Sequence, residues 1–287
     1  MIIVQIKGGL GNQLFSYAAA YGIAQENNTE LIIDRYIYDT SYFLRKYMLD
    51  YFPLIVDKSV VNYIPNQNKI SQILYKLTRK IRLNYKYKAQ VITEEEEFKY
   101  QLINTQGGNL YLNGYWQSYL YFDKYREDII QRFQPAVQLK DEGDTLLHNI
   151  EKHNSVAVHI RRGDYVNFKG GKCLNISYYM EAIDYLSKIK NINLTFYIFT
   201  DDVEYCKNNF AAINNVKFIA EEAKLNDLEE FYLMTKCKDF IIGNSSFSWW
   251  AAYLASCKDK VVIAPVVDMW KEEFYLPEWI KIKSDLQ

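Results

Sequence analysis

Short apolar runs alternate along the chain with longer stretches of helical spacing. Residues 2–7 form a continuous apolar run that predicts a buried strand. Four residues, Gly8-Gly9-Leu10-Gly11, break it, and the segment from Asn12 predicts a helix to about residue 27. A second strand is predicted at 30–34 and a third at 109–113, followed by a helix over 120–133. Residues 134–143, with Pro135 and a polar run, are the candidate linker. Beyond it the rhythm is regular. Strands are predicted at 155–160, 194–200, 239–242 and 260–264, the last stopped by Pro265. Between them lie helices at 177–190, with Ser177 as N-cap, at 226–237, with Asn226 and Glu229 spaced as a capping box, and at 246–256. Such alternation predicts parallel α/β sheets covered by helices. Two such halves predict two Rossmann-like domains facing a cleft, residues 1–145 and 146–287.

Composition narrows the class. Of 287 residues, 49% are hydrophobic and 24% charged, which is globular usage. Lys and Arg number 34 against 35 Asp and Glu, so the chain carries no global basic field and nucleic acid is not expected as a partner. The 26 tyrosines offer flat amphipathic faces suited to sugars, although packing is their commoner use. None of the four cysteines forms a C-x-x-C pair, which points to buried thiols in a reducing compartment rather than to zinc. The N-terminus lacks the charged lead of a signal peptide, and no apolar run nears the ~18 residues of a membrane span. The expected location is the cytoplasm.

One segment departs from the average. Residues 69–88 carry seven Lys and Arg with no acid, and Ile70, Ile73, Leu74, Leu77 and Ile81 fall at helical spacing. The simpler expectation is a surface helix whose apolar stripe faces the core. The other is a helix lying on an anionic membrane surface, such as the inner membrane.

Candidate chemistry sits in loops that follow predicted strands, where open parallel sheets bind ligands. His159-Ile160-Arg161-Arg162-Gly163-Asp164-Tyr165 places adjacent arginines after a buried strand. A guanidinium fork there suits a diphosphate, with the second arginine held by an acid such as Asp164. Thr200-Asp201-Asp202 offers carboxylates to a ribose or base, to a metal ion, or to the start of the next helix. Gly243-Asn244-Ser245-Ser246-Phe247-Ser248 opens a helix with small polar residues, a natural anion site. It lacks the second glycine of a nucleophile elbow, so a serine hydrolase is not expected. The N-terminal Gly9 and Gly11, with Asp34 some twenty residues on, imitate a dinucleotide fingerprint. Leu14 stands where its third glycine belongs, and a tight turn presenting Asn12 and Gln13 accounts for the loop equally well.

In order along the chain, Gly9-Leu10-Gly11-Asn12-Gln13-Leu14-Phe15, Gly114-Tyr115-Trp116-Gln117-Ser118, the His159–Tyr165 motif, Thr200-Asp201-Asp202 and Asn244-Ser245-Ser246-Phe247-Ser248-Trp249-Trp250-Ala251 resemble the motifs of the α-1,2-fucosyltransferases, glycosyltransferase family 11. The resemblance implies a GT-B architecture, with the N-terminal half on the acceptor side and the C-terminal half binding GDP-L-fucose. It implies metal-free, inverting transfer to the 2-hydroxyl of a terminal β-galactoside, in O-antigen or capsule synthesis. It further implies that Arg161 meets the β-phosphate and that His159 and Asp201 contact the nucleoside. Ser245 and Ser246, with Asn244 beside them, would touch phosphate or fucose, and Asn12, with Gln13 beside it, would face the donor. Asp164 is a candidate general base for the acceptor hydroxyl, with proton loss to water as the alternative. Three alternatives stand beside this reading: a GT-B transferase of another GDP- or UDP-sugar, a metal-dependent GT-A enzyme using Asp201 and Asp202, and a noncatalytic glycan-binding protein.

Overall fold

The computed structural model describes residues 1–40, 45–55, 58–61, 68–167 and 172–287, apart from the side chains of Thr40 and Asp164. The chain folds into two compact α/β units. The first comprises Met1–Gln134 with Trp270–Tyr275, and the second Pro135–Met269 with Leu276–Gln287.

The first unit holds a four-stranded parallel sheet of β1 (Ile2–Gln5), β2 (Leu31–Asp34), β3 (Gln90–Thr93) and β4 (Leu110–Asn113), in the order β2-β1-β4-β3. β1 lies between two neighbours, so Ile2, Ile3 and Val4 are all buried; such a strand reads as an unbroken apolar run. Helix α1 (Leu10–Glu26) is buried over most of its length. At Gly22 a Cβ would lie 2.0 Å from the Tyr121 carbonyl oxygen, so only glycine lets the two backbones approach. Helices α2 (Tyr36–Thr40), α3 (Lys69–Ile81) and α4 (Arg126–Arg132) complete the unit. The late segment 270–275 returns to it: the Phe274 ring lies tilted 5.5 Å from Phe15 and edge-on 5.1 Å from Phe98.

The second unit holds six parallel strands in the order β10-β9-β8-β5-β6-β7. They are β5 (Ser155–Ile160), β6 (Thr195–Thr200), β7 (Val216–Phe218), β8 (Asp239–Ile241), β9 (Val262–Val266) and β10 (Ile280–Lys283). The helices are α5 (Asp141–Lys152), α6 (Gly163–Val166), α7 (Ile176–Lys190), α8 (Val203–Phe210), α9 (Ile219–Glu222), α10 (Asp227–Thr235) and α11 (Ser246–Leu254). From β5 the chain runs outward through β6 and β7, then returns to the other flank of β5 as β8. The junction of β5 and β8 is therefore a topological switch point. Two Rossmann-like α/β units in one chain are the composition expected of the GT-B type.

The structure corrects several expectations. The units part within the predicted linker, and α5, which crosses residue 145, buries Leu146 and Ile150 in the second unit. The predicted helix over 120–133 is two tight turns before the shorter α4. Asn175, not Ser177, caps α7; its side chain accepts from the Ser177 amide. Pro265 lies inside β9, opposite Ile282 of β10. Only Val262 and Ile263 of β9 pair with β8, so a residue without an N–H costs no bond on that side. The capping box at Asn226 and Glu229 is present as expected.

Helix α3 departs furthest. Its apolar stripe faces solvent, with Ile70 69%, Ile73 64% and Leu77 52% exposed. The opposite face docks. Tyr75 is buried and donates to Asp39 at 2.6 Å, while Arg79 meets Asp34 at 2.6–2.8 Å and Tyr111 at 2.8 Å.

Candidate active site

In the second unit, β8, β5 and β6 are consecutive in the sheet, and their registers bring Ile160 beside Thr200 and Val158 beside Ile241. The three motif loops therefore leave one edge side by side. His159 stands at the end of β5. Its ring lies 5.7 Å from Phe247, and its buried Nδ1 has no hydrogen-bond partner. Burial, followed by the nearby Arg161 charge, lowers its pKa from 6.5 to about 4, against a weaker pull from Asp201. The imidazole is therefore neutral at physiological pH. Gly243, at the end of β8, is tied to this position. A Cβ there would meet the His159 carbonyl oxygen at 2.7 Å.

The two arginines part company. Arg162 is engaged within the unit: its Nε donates to Asp202 at 3.0 Å, and its guanidinium lies 3.5 Å from the Tyr205 ring centroid. Asp202 also caps α8 by accepting from the Tyr205 amide, and Arg162 holds its carboxyl below the usual range. The acid that pairs with Arg162 is thus Asp202, where the sequence suggested Asp164; the Asp164 side chain lies outside the described residues. Arg161 extends over the ring of Tyr165, 4.3 Å from its centroid. Asp201 accepts from the Arg162 amide at 2.7 Å, and a Cβ on Gly163 would press on its carboxylate at 2.7 Å. Asp202 is thus engaged by both a helix cap and a guanidinium. Among the described residues, no group of three His, Cys, Asp or Glu is placed to hold a metal.

The third loop opens α11. Asn244 is buried and its Nδ2 donates to the Lys172 carbonyl at 2.8 Å, which ties that strand end to the loop before α7. Ser245 is buried as the N-cap, and Ser248 turns its hydroxyl back to the Gly243 and Ser245 carbonyls. Ser246 is half-buried at the first helical position, where the backbone amides and helix dipole favour an anion. Trp249 and Trp250 are fully buried, as packing predicts.

Sequence reasoning missed Glu230. It lies on α10 next to Phe231, whose ring packs edge-on against Phe247 at 5.2 Å. Burial, then Asp227 and Asp201, raises its carboxyl to about 7, so it is partly protonated at neutral pH. No motif marked it; an acid within a capped amphipathic helix reads as surface charge.

In the first unit, the loops after β1 and β4 meet. Gln117 donates to Asn12 Oδ1 at 3.2 Å. Gly8 adopts a φ of +83°, and a Cβ there would lie 2.8 Å from the Asn12 side-chain Nδ2. Tyr38 donates to the Gly8 carbonyl at 2.5 Å, and Lys7 lies over the Tyr115 ring. Glu94 accepts from the Tyr115 and Trp116 amides at 2.7 and 2.8 Å, which holds Trp116 at its φ of +56°. Gln13, expected beside the donor, is turned inward. It is fully buried, donates to the Gly8 and Lys46 carbonyls and accepts from the Met48 amide. It braces the loop that presents Asn12. Asp34, the acid of the dinucleotide fingerprint, is engaged by Arg79 and Tyr111.

The sequence profile described as Glycosyl transferase family 11 matches residues 1–283. An alpha-1,2-colitosyltransferase of Escherichia coli is 31% identical over 99% of either chain. The O-antigen biosynthesis glycosyltransferase WbnK of Escherichia coli is 28% identical, over 96% of this chain and 99% of that one. The galactoside alpha-(1,2)-fucosyltransferase 2 of Pongo pygmaeus is 26% identical, over 97% of this chain and 78% of that one. Ordered motifs, two parallel α/β units and a full-length profile match agree: this chain belongs to glycosyl transferase family 11.

Proposed function

We propose that the chain transfers L-fucose from GDP-L-fucose to the 2-hydroxyl of a terminal β-galactoside, with inversion and without a metal ion. The setting is O-antigen or capsule synthesis in the cytoplasm. The observation that carries this reading is the shared edge of β8, β5 and β6, which gathers His159, Arg161, Asp201 and the N-terminus of α11. Cleavage of the sugar–diphosphate bond leaves charge on GDP. Arg161 and the amides at Ser246 are fixed positive groups suited to take it up, and groups fixed in advance spend nothing on reorganisation. A neutral His159 and the Asp201 carboxylate suit the nucleoside. In the first unit, Asn12, braced by Gln117 and Gly8, is the proposed contact to the donor sugar. Asp164 is the proposed base for the acceptor hydroxyl; Asp202, by taking Arg162, supports leaving it that role.

A second reading, colitosyl transfer, is favoured by the name of the 31% identical relative. Both readings share the nucleotide site. Thermal unfolding with GDP, UDP and ADP, each with EDTA and with Mg²⁺, tests that site. At about 100 times its dissociation constant a ligand adds roughly 2.7 kcal/mol. Stabilisation by GDP that EDTA leaves unchanged is the expected result, and turnover of fucosyl against colitosyl donor on lactose then separates the two sugars. A response to UDP, or only with Mg²⁺, overturns the donor assignment. Silence with every nucleotide revives a noncatalytic glycan-binding role.

A further inference from the structure

We propose that α3 is a membrane-docking helix that seats the first unit on an anionic lipid surface. Ile70, Ile73, Leu74, Leu77 and Ile81 recur at i, i+3, i+4, i+7 and i+11, one continuous stripe, and each is between 47% and 69% exposed. Tyr85, in the turn that follows, extends the patch at 75% exposure. An apolar stripe of this kind ordinarily turns inward. Here it cannot, because the opposite face holds the polar anchors. Rotating the stripe inward would withdraw Arg79 from Asp34, a carboxylate only 2% exposed, and Tyr75 from Asp39.

Charge decides the occupant. Lys69, Lys76 and Lys80 are exposed and run along one border of the stripe, Lys86 and Lys88 continue the positive charge, and no acid occurs from 69 to 88. Apolar side chains bordered by lysines match the boundary between acyl chains and anionic headgroups, with the lysine stems lying along the apolar zone. A second copy of this chain would bring the same lysine row against its own stripe and meet like charge. Arg79 and Arg82 take no part in this surface: Arg79 is bound to Asp34 and Tyr111, and Arg82 donates to the Val60 carbonyl.

The test is flotation of the purified full chain with vesicles of phosphatidylcholine alone or mixed with phosphatidylglycerol. No donor or acceptor is present, so the result is independent of the transferase reading. The wild type is expected to float with the anionic vesicles and to stay behind with the zwitterionic ones. Each surface lysine is worth about fivefold in partitioning, so Lys69→Gln/Lys76→Gln/Lys80→Gln should lose about 10²-fold. Ile73→Ser/Leu77→Ser should lose binding with all its lysines in place. These side chains are exposed, so both variants should keep the wild-type unfolding midpoint. Three results each overturn the proposal: no flotation of the wild type with anionic vesicles, equal flotation of wild type and variants, or a concentration-dependent dimer that Ile73→Ser/Leu77→Ser dissolves.

Discussion

Removing one positive charge at two adjacent positions should have two different consequences. Arg161→Ala deletes a guanidinium that lies over the face of Tyr165. Its work, on the proposed reading, is done when charge develops on the leaving diphosphate. The expected loss is about 10²–10³ in kcat, the range for one preorganised electrostatic donor, or roughly 2.7–4 kcal/mol of barrier. Arg162→Ala instead removes a structural latch. Its side chain is 20% exposed and that of Asp202 is 34%, so the ion pair is worth at most about 1 kcal/mol. The contact with the Tyr205 ring adds about 0.5–1 kcal/mol. The sum, about 1–2 kcal/mol, should lower Tm by a few degrees in a chain of this size. Measuring GDP release and urea unfolding on both variants separates the roles. The reasoning fails if Arg162→Ala is the slower enzyme at wild-type stability.

Two further perturbations follow from the geometry. Gly22→Ala would place a Cβ 2.0 Å from the Tyr121 carbonyl oxygen, with backbone on both sides. Overpacking of roughly 1–3 kcal/mol should outweigh the gain in helix propensity, and a urea midpoint at or above wild type would refute this. The pH dependence carries opposite signs at two residues. His159 is lowered from 6.5 to about 4, so its contribution is present above about 6.5 and lost as pH falls through about 4. Glu230 is raised from 4.5 to about 7, so its contribution is present below about 4.5 and lost as pH rises through about 7. In urea titrations from acid to alkaline pH, His159→Gln should gain on wild type toward acid and Glu230→Gln toward alkali. A stability difference that stays constant with pH would remove either assignment.

The second unit was largely legible in the sequence because each element carries its own punctuation. Ser155–Ile160 is an unbroken apolar strand, Asn226 and Glu229 write the cap of α10, and each motif loop directly follows a strand. Local signals of this kind need no tertiary information. What failed was non-local. β10 and the return of residues 270–275 to the first unit depend on partners far along the chain, which no window of sequence contains. Arg161 and Arg162 are identical in type and adjacent in sequence. Only the register of β5 against β6 brings Asp202 to the second of them. Glu230 became a candidate only when α10 was packed beside Phe247.

Helix α3 shows the same limit most sharply, because periodicity defines a stripe but not the direction it faces. The direction is set by Arg79. With Asp34 2% exposed and the Arg79 side chain 19% exposed, this is a nearly buried pair, and loss of one partner leaves a charge that water cannot reach. Arg79→Met should therefore cost about 3 kcal/mol, the lower end for a broken buried pair, since Tyr111 still donates to Asp34 at 2.7 Å. Neutralising the orphan should recover most of that loss, so Asp34→Asn/Arg79→Met should be more stable than Arg79→Met alone. The double-mutant cycle in urea reads this coupling directly. If the anchor sets the helix's orientation, Arg79→Met should also weaken flotation with anionic vesicles, although the stripe and its lysine row remain intact. Additive costs in the cycle, with flotation unchanged, would mean that something other than this pair holds the stripe toward solvent.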